Sequence, residues 1–463
     1  MKENNAFRRA AALLAALSIT VSLAAPAFAG TYYIDDGDIT IIKNENGSQT
    51  IKQQGKEDCT DQVGDETIIT TYKKAITSLE SDLEGPAAED SGFGPVVEDN
   101  YQPAQPEDAE EPKAADQPES TEEPEGADQQ ESAGQQPQPQ QAAPAAAAPA
   151  APTSVITLIN NFANTVLNLT LRDVKIDVSD TGRENHAGKA ALSVQGKGNV
   201  EIELDGKNEL KSGYYRAGLE KTSAGTLTLK DNKEAGSGSL NAEGGALSAG
   251  IGGSYNDYSA NNGTKNIIIT GSTVTATGGD GGAGIGGGNG GAAENITITG
   301  STVTATGGGS VLGFGGAGIG GGERCDGENI TITGSTVTAT GDRGGAGIGG
   351  GAGESNRGNG NNITITGSTV TAISNGCGQR GNGGGAGIGG GCNRNGSHIT
   401  INGGTVTAEG GDHGAGIGGG AKGSGSNVTV SGAAQVTAIA GKGDRWDGAG
   451  ATIGSGGSTK NPD

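Results

Sequence analysis

The stretch NITITGSTVTAT, residues 295–306, decides how this chain folds. Ile296 and Ile298 alternate with Thr297 and Thr299, the period of a strand with one buried face. After Gly300-Ser301 the apolar positions become Val303 and Ala305. The parity has changed from even to odd. In a straight strand that change would turn one pair outward, because a shift of one residue reverses every side chain. A bend at Gly300-Ser301 keeps all four inward. The stretch therefore predicts two short strands around a corner.

Related phrases begin at Asn266, Asn295, Asn329, Asn362, His398 and Asn427, with spacings of 29, 34, 33, 36 and 29 residues. Between them runs a second phrase, GGAGIGGG at 281–288, with close copies at 315–322, 344–351, 384–391 and 413–420. Taken alone, Gly282-Ala283-Gly284-Ile285-Gly286-Gly287 fits the G-x-G-x-x-G of a dinucleotide loop. That loop needs a following helix and an acidic residue about 20 positions on. Here strand-like residues follow, and the phrase occurs five times. The glycines instead allow tight bends and close approach of neighbouring backbones. No G-K-[ST] is present for a phosphate loop.

The glycine phrase supplies a third side, with Ala283 and Ile285 inward. Its apolar position repeats at Leu219, Ile251, Ile285, Ile319, Ile348, Ile388, Ile417 and Ile453. One such coil cannot bury its inner face, but a stack can. The expected fold is all-β: a right-handed parallel β-helix over 153–463, of about nine or ten rungs of three short strands. At the ~4.8 Å spacing between strands it would be about 45 Å long. Ile296, Ile330, Ile363, Ile399 and Val428 should form one internal ladder. Ile285, Ile319, Ile348, Ile388 and Ile417 should form another. The longer alternating segments NLTLRDVKIDVSD (168–180) and NVEIELDGKNEL (199–210) read as the first rungs, and GKGDRWDGAG (441–450) as a closing one.

The remainder has a different character. Residues 1–29 read as a signal peptide, with Lys2, Arg8 and Arg9 ahead of an apolar run, Ala10–Ala25. Ala27-Phe28-Ala29 is an A-x-A cleavage site, so cleavage is expected between Ala29 and Gly30. Residues 30–84 contain β-rich pieces, TYYIDDGDITII and ETIITTY, which could cap the stack or ride on a tether. Residues 85–152 hold twelve of the 14 prolines and fifteen acidic residues. That composition predicts a disordered linker. Residues 1–152 carry nine basic and 28 acidic side chains, net −19 of the overall −23. The charge thus belongs to the leader and linker, and it argues against nucleic acid, which needs a clustered basic face. No later segment approaches the ~18 apolar residues of a membrane span, so no membrane insertion of the mature chain is expected.

Four cysteines do not make a disulfide scaffold. Cys377 and Cys392 flank one glycine phrase and could pair with each other or remain thiols.

The segments KIDVSDTG, AALSV, NVEIELDGKNELKSGYYRAGLEK, GTLTLKD and GSLNAEGGALSAGIGG, followed by NITITGSTVTATGG and GAGIGGG, resemble a known group. They are similar to the glycine-rich parallel β-helix proteins secreted by anaerobic Gram-positive bacteria, described as carbohydrate-binding domain-containing or adhesin-like surface proteins. The resemblance covers about 165–455. It implies a parallel β-helix, export and polysaccharide binding, sometimes with calcium. It supplies no catalytic set, and the acidic linker departs from it.

A β-helix can also carry a lyase or hydrolase, which needs paired carboxylates or a calcium cluster with a base on one strand face. The outward positions here are Thr, Ser and Asn, and no G-x-S-x-G or H-E-x-x-H occurs. No catalytic residues are expected. Asp280, Asp342 and Asp412 precede glycine phrases and could be loose calcium ligands or turn aspartates. His186, His398 and His413 read as solvated loop histidines. Sugar binding needs aromatic faces beside hydrogen-bond donors. With so few aromatics, Tyr214 and Tyr215 in KSGYYRAGLE, Tyr255 and Tyr258 in GSYNDYSA, and Trp446 in GDRWDG are the candidates. Their alternative role is shielding the side and end of the stack. The expected protein is secreted or held at the cell surface, non-catalytic, and binds an extracellular polysaccharide or a host or cell-surface glycan. A passive stalk and a polysaccharide-degrading enzyme are the alternatives.

Overall fold

The computed structural model describes residues 30–71, 153–232, 238–255, 263–310, 314–353, 358–376, 383–445 and 447–458. The leader at 1–29 and the linker at 85–152 lie outside the described residues. The N-terminal strands are β1 Gly30–Tyr33, β2 Ile39–Lys43, β3 Gln49–Gln53, β4 Cys59–Asp61 and β5 Thr67–Thr70. The first coil follows, as β6 Ile156–Asn160, β7 Val166–Arg172 and β8 Lys175–Asp177. The second is β9 Leu192–Gly196, β10 Asn199–Asp205 and β11 Lys207–Lys211, and β12 Leu219–Lys221 opens the third. Among the described residues the sole helical turn is Ile34–Asp36.

The chain is a parallel β-helix with three faces. On the first, Ile267, Ile296, Ile330, Ile363, Ile399 and Val428 are successive register partners. On the second, Val274, Val303, Val337, Val370, Val406 and Val436 align. On the third, the series runs Leu192, Leu219, Ile251, Ile285, Ile319, Ile348, Ile388, Ile417 and Ile453. All of these pairings are parallel. The inward residues are sealed: Ile285, Ile296, Ile298, Val303 and Ala305 are at most 1% exposed. Each aliphatic residue therefore packs on its counterpart one coil away, and burial of like on like holds the stack together.

The corner between the first two faces is made by Gly271, Gly300, Gly334, Gly367, Gly403 and Gly432, all with φ between 55° and 70°. This left-handed step changes the inward parity. A single strand nevertheless spans the corner at Gly360–Ser374 and at Gly396–Glu409, with its pairing interrupted only at Gly367 and Gly403 there. The serine after the glycine is buried and links coils. The amide of Ser301 donates to Ser335 Oγ at 3.2 Å, and that of Ser335 to Ser368 Oγ at 3.2 Å. Each hydroxyl in turn donates to the carbonyl two residues earlier, as Ser335 Oγ does to Thr333 O at 2.8 Å. Position 404 is glycine, and the serine row stops there.

A second row begins each coil of the first face. Asn266, Asn295, Asn329, Asn362 and Asn427 have φ of 53–60°. Asparagine tolerates that conformation better than most residues. Asn295 Nδ2 donates to Asn266 Oδ1 at 2.9 Å, Asn329 to Asn295 at 3.2 Å and Asn362 to Asn329 at 3.1 Å. His398 takes the asparagine slot with φ 55° and lies 3.2 Å from Asn427 Nδ2.

The third face differs between the two ends of the stack. In the first coils it is a strand with side chains, as in β6, β9 and β12. From Ile251 onward it shrinks to an Ile-Gly pair. The glycine of that pair has φ of 132–137° from Gly252 to Gly454. A Cβ built on Gly286 would overlap the Gly320 carbonyl oxygen in the next coil, and one on Gly284 would lie 2.7 Å from Gly318 O. Glycine here is a requirement of backbone contact between coils.

At the N-terminal end, β5 adds parallel to β7 and β1 adds parallel to β5, extending the first face. On the third face β2 adds parallel to β6, then β3 and β4 turn antiparallel. The Gln49 amide also clasps the backbone of Asn168, with bonds of 2.9 and 2.8 Å. A parallel edge is thereby converted into a short meander, a common way of blunting an open edge. In the last described coil, Val430, Ile439 and Ile453 are 43–44% exposed.

Two glycines separate strain from collision. Gly300 has φ 57° with nothing near a would-be Cβ, so Gly300→Ala should cost about 1–2 kcal/mol. At Gly320 the Cβ would strike the Gly349 carbonyl, so Gly320→Ala should lower the urea midpoint far more or prevent folding. Equal losses would refute the close-packed third face. Ser335→Ala should cost about 1–3 kcal/mol by the same measurement, because it strands the buried Ser301 amide.

Candidate functional site

The structure brings residues of three successive coils into one aromatic row beside the third face. His186 comes from the loop before β9, Tyr214 and Tyr215 from the turn before β12, and Tyr255 from the residues after Ile251-Gly252. His186 lies 5.2 Å from Tyr214 and 5.1 Å from Tyr215, ring centre to ring centre, both stacked. Tyr214 and Tyr215 are 4.3 Å apart, and Tyr215 and Tyr255 4.6 Å. Tilts of 23–36° fit offset stacking. Tyr215 and His186 reach these places through left-handed backbone, φ 66° and 57°. The tyrosines are half-buried and His186 is exposed. Desolvation, then the neighbouring Tyr214 hydroxyl, hold the Tyr215 phenol above its ordinary pKa.

Recesses open on either side of the row. One, of about 400 Å³, is bounded by Tyr214, Arg183, Lys211 and Glu243. The other, of about 420 Å³, is bounded by Tyr255, Arg216, Glu220, Lys221, Ser223 and Lys265, among others. Glu220 occupies the register position that is Gly252 in the next coil. It is only 3% exposed, yet its carboxylate is fully engaged. It accepts from Ser193 Oγ at 2.7 Å, Ser254 Oγ at 2.6 Å and Arg216 Nη1 at 2.9 Å. Lys221 is 4% exposed, and its Nζ donates to Ser223 O at 2.8 Å. No carboxylate among the described residues pairs with it, and burial lowers its pKa to about 8.

Tyr258, Trp446 and Cys377 lie outside the described residues, and so does any pairing of Cys377 with Cys392. Cys392 is buried in a small cluster with Phe314, Ala352 and Ala421. Ala29 is also outside, while Gly30 opens β1. Asp280 and Asp412 are exposed, and Asp342 Oδ1 accepts from the Arg343 amide at 2.9 Å. Among the described residues no group of three or more His, Cys, Asp or Glu is placed to hold a metal ion. His413 corrects the solvated reading: it is buried, with Nδ1 2.9 Å from Gly448 O, because the last turns fold over it. His186 was missed as a site residue. Its signal was its place in the loop that precedes a third-face strand, one coil before Tyr214.

A larger recess, about 460 Å³, lies between the N-terminal strands and the first coils. Its carboxylates are already engaged. Glu201 pairs with Lys230 at 2.6 Å, Glu203 takes the Asn232 amide at 2.7 Å, and Glu66 takes Thr170 Oγ1 at 2.6 Å. It has no aromatic wall.

The β-helix repeat family matches residues 236–255, 267–289, 296–323, 330–352 and 399–421. These are coils of the stack, so pattern and structure define the same class of protein, the parallel β-helix. No curated protein and no solved structure matches the chain.

The unpaired Lys221 gives a pH test. Its folded pKa is below the usual 10.5. Below pH 8 the ammonium is buried at a cost; that cost fades as pH rises from 8 to 10.5. Lys221→Met should therefore be the more stable protein at pH 7, by on the order of 2–3 kcal/mol. The advantage should shrink across that window in urea titrations. A pH-independent difference would mean that Lys221 is not a buried, unpaired cation.

Proposed function

We propose that the protein is a secreted or surface-held, non-catalytic β-helix that binds extracellular carbohydrate and so mediates adhesion. The observation that carries this reading is the row of His186, Tyr214, Tyr215 and Tyr255 with a polar recess at each end. Sugars offer apolar ring faces and hydroxyl edges. A glycan lying along the row would place rings against the outer tyrosines and hydroxyls against Arg183, Arg216 and Ser254. The resemblance of residues 165–455 to secreted adhesin-like proteins, and the leader pattern at 1–29, support export.

Screening the full mature chain on a glycan array should find a bound class. Tyr215→Ala and Tyr255→Ala should each weaken binding about tenfold, the cost of losing one stacking residue. Val63→Ala, on the larger recess, should not change it. A chain that binds no glycan, or binds unchanged after both tyrosine substitutions, would overturn the reading. Sequencing of the exported protein should give Gly30 as the first residue. Release of products from pectin or related polymers would restore the enzyme alternative.

A further inference from the structure

The recess beyond Tyr255 contains two unmet requirements. Lys221 is a cation shut away from water with only a carbonyl for company. Ser223 is 8% exposed, and its hydroxyl has no hydrogen-bond partner. Both line the same cavity. A buried cation calls for a counter-charge and a buried hydroxyl for a partner. Glu220 supplies neither, since its bonds go to two serines and Arg216. Lys265, at the same wall, pairs with Glu294 at 2.6 Å on the exposed side. Arg216 and Lys265 are thus each matched by a carboxylate, and Lys221 is the cation of this wall that no carboxylate among the described residues meets.

We propose that this recess is an anion pocket that receives the carboxylate of an acidic sugar residue, with Lys221 and Ser223 as its two donors and Tyr255 beneath the sugar ring. The inference rests on the glycan reading above and narrows it to uronic-acid polymers. Two donors suit the two oxygens of one carboxylate. The Tyr255 ring then links the anion pocket to the aromatic row, so an acidic unit enters the recess while its neighbours follow the tyrosines. The one carboxylate in the pocket wall among the described residues, Glu220, is held by Ser193, Ser254 and Arg216, and the pocket is large enough for one sugar unit.

Binding of the full mature chain to polygalacturonate, to hyaluronan, to methyl-esterified polygalacturonate and to neutral galactan tests it by calorimetry. At least one of the uronate polymers should bind. Esterification should weaken polygalacturonate binding tenfold or more. Lys221→Met should cause a similar loss on the acid, and Ser223→Ala a loss of about threefold, with neither changing the ester. Tyr255→Ala should weaken acid and ester alike. The esterification comparison uses the unaltered protein, so a variant that fails to fold does not decide the matter. If acid and ester bind equally, or Lys221→Met leaves the acid unaffected, the anion pocket is wrong while the glycan reading stands. If galactan alone binds, and Tyr255→Ala weakens it, the same conclusion follows. If none of the four polymers binds, the anion pocket falls; an empty glycan array then removes the glycan reading as well.

Discussion

The structure depends on contact between glycine backbones along the third face. From Gly252 to Gly418 the residue after each inward isoleucine leaves no room for a Cβ, because the carbonyl of the next coil occupies that space. This contact closes a triangular coil with only two paired residues on one side. The first and second faces can then carry the aliphatic ladders, with serine and asparagine rows stitching one coil to the next. Hydrophobic burial provides the driving force, but the glycine contact sets how tightly the coils can close.

That constraint also decides where function can sit. A face that excludes Cβ atoms cannot present side chains, so the later coils have little to offer a ligand there. The earlier coils keep side chains on the third face, in β6, β9 and β12. The aromatic row and the recess around Lys221 lie where one regime gives way to the other. Glu220 marks the boundary, standing where Gly252 stands one coil later.

The fold was legible because its determinants are local or periodic. The parity change across Gly300-Ser301 announced the corner, and the repeat of Ile285, Ile319 and Ile348 announced the ladder. The left-handed glycine at the corner agrees with the bend drawn from the sequence. The contacts between coils were less legible. Nothing in the serine of TGS shows that it bonds a residue 34 positions away. His186 looked isolated because its partners are one coil distant in sequence and adjacent in space. Glu220 and Lys221 looked like ordinary strand residues, since burial of a charged side chain depends on loops that the local pattern does not contain. Tyr214, Tyr215 and Tyr255 could be singled out by rarity, but their alignment is a product of coil spacing.

From Ile267 to Val428 the upper and lower edges of each coil are nearly interchangeable, with the same ladder residues and the same rows. Gain or loss of one whole coil by gene recombination would leave both neighbouring surfaces matched. Reach could therefore lengthen or shorten in steps of about 4.8 Å, while the end that carries the aromatic row, built from different residues, stayed as it was.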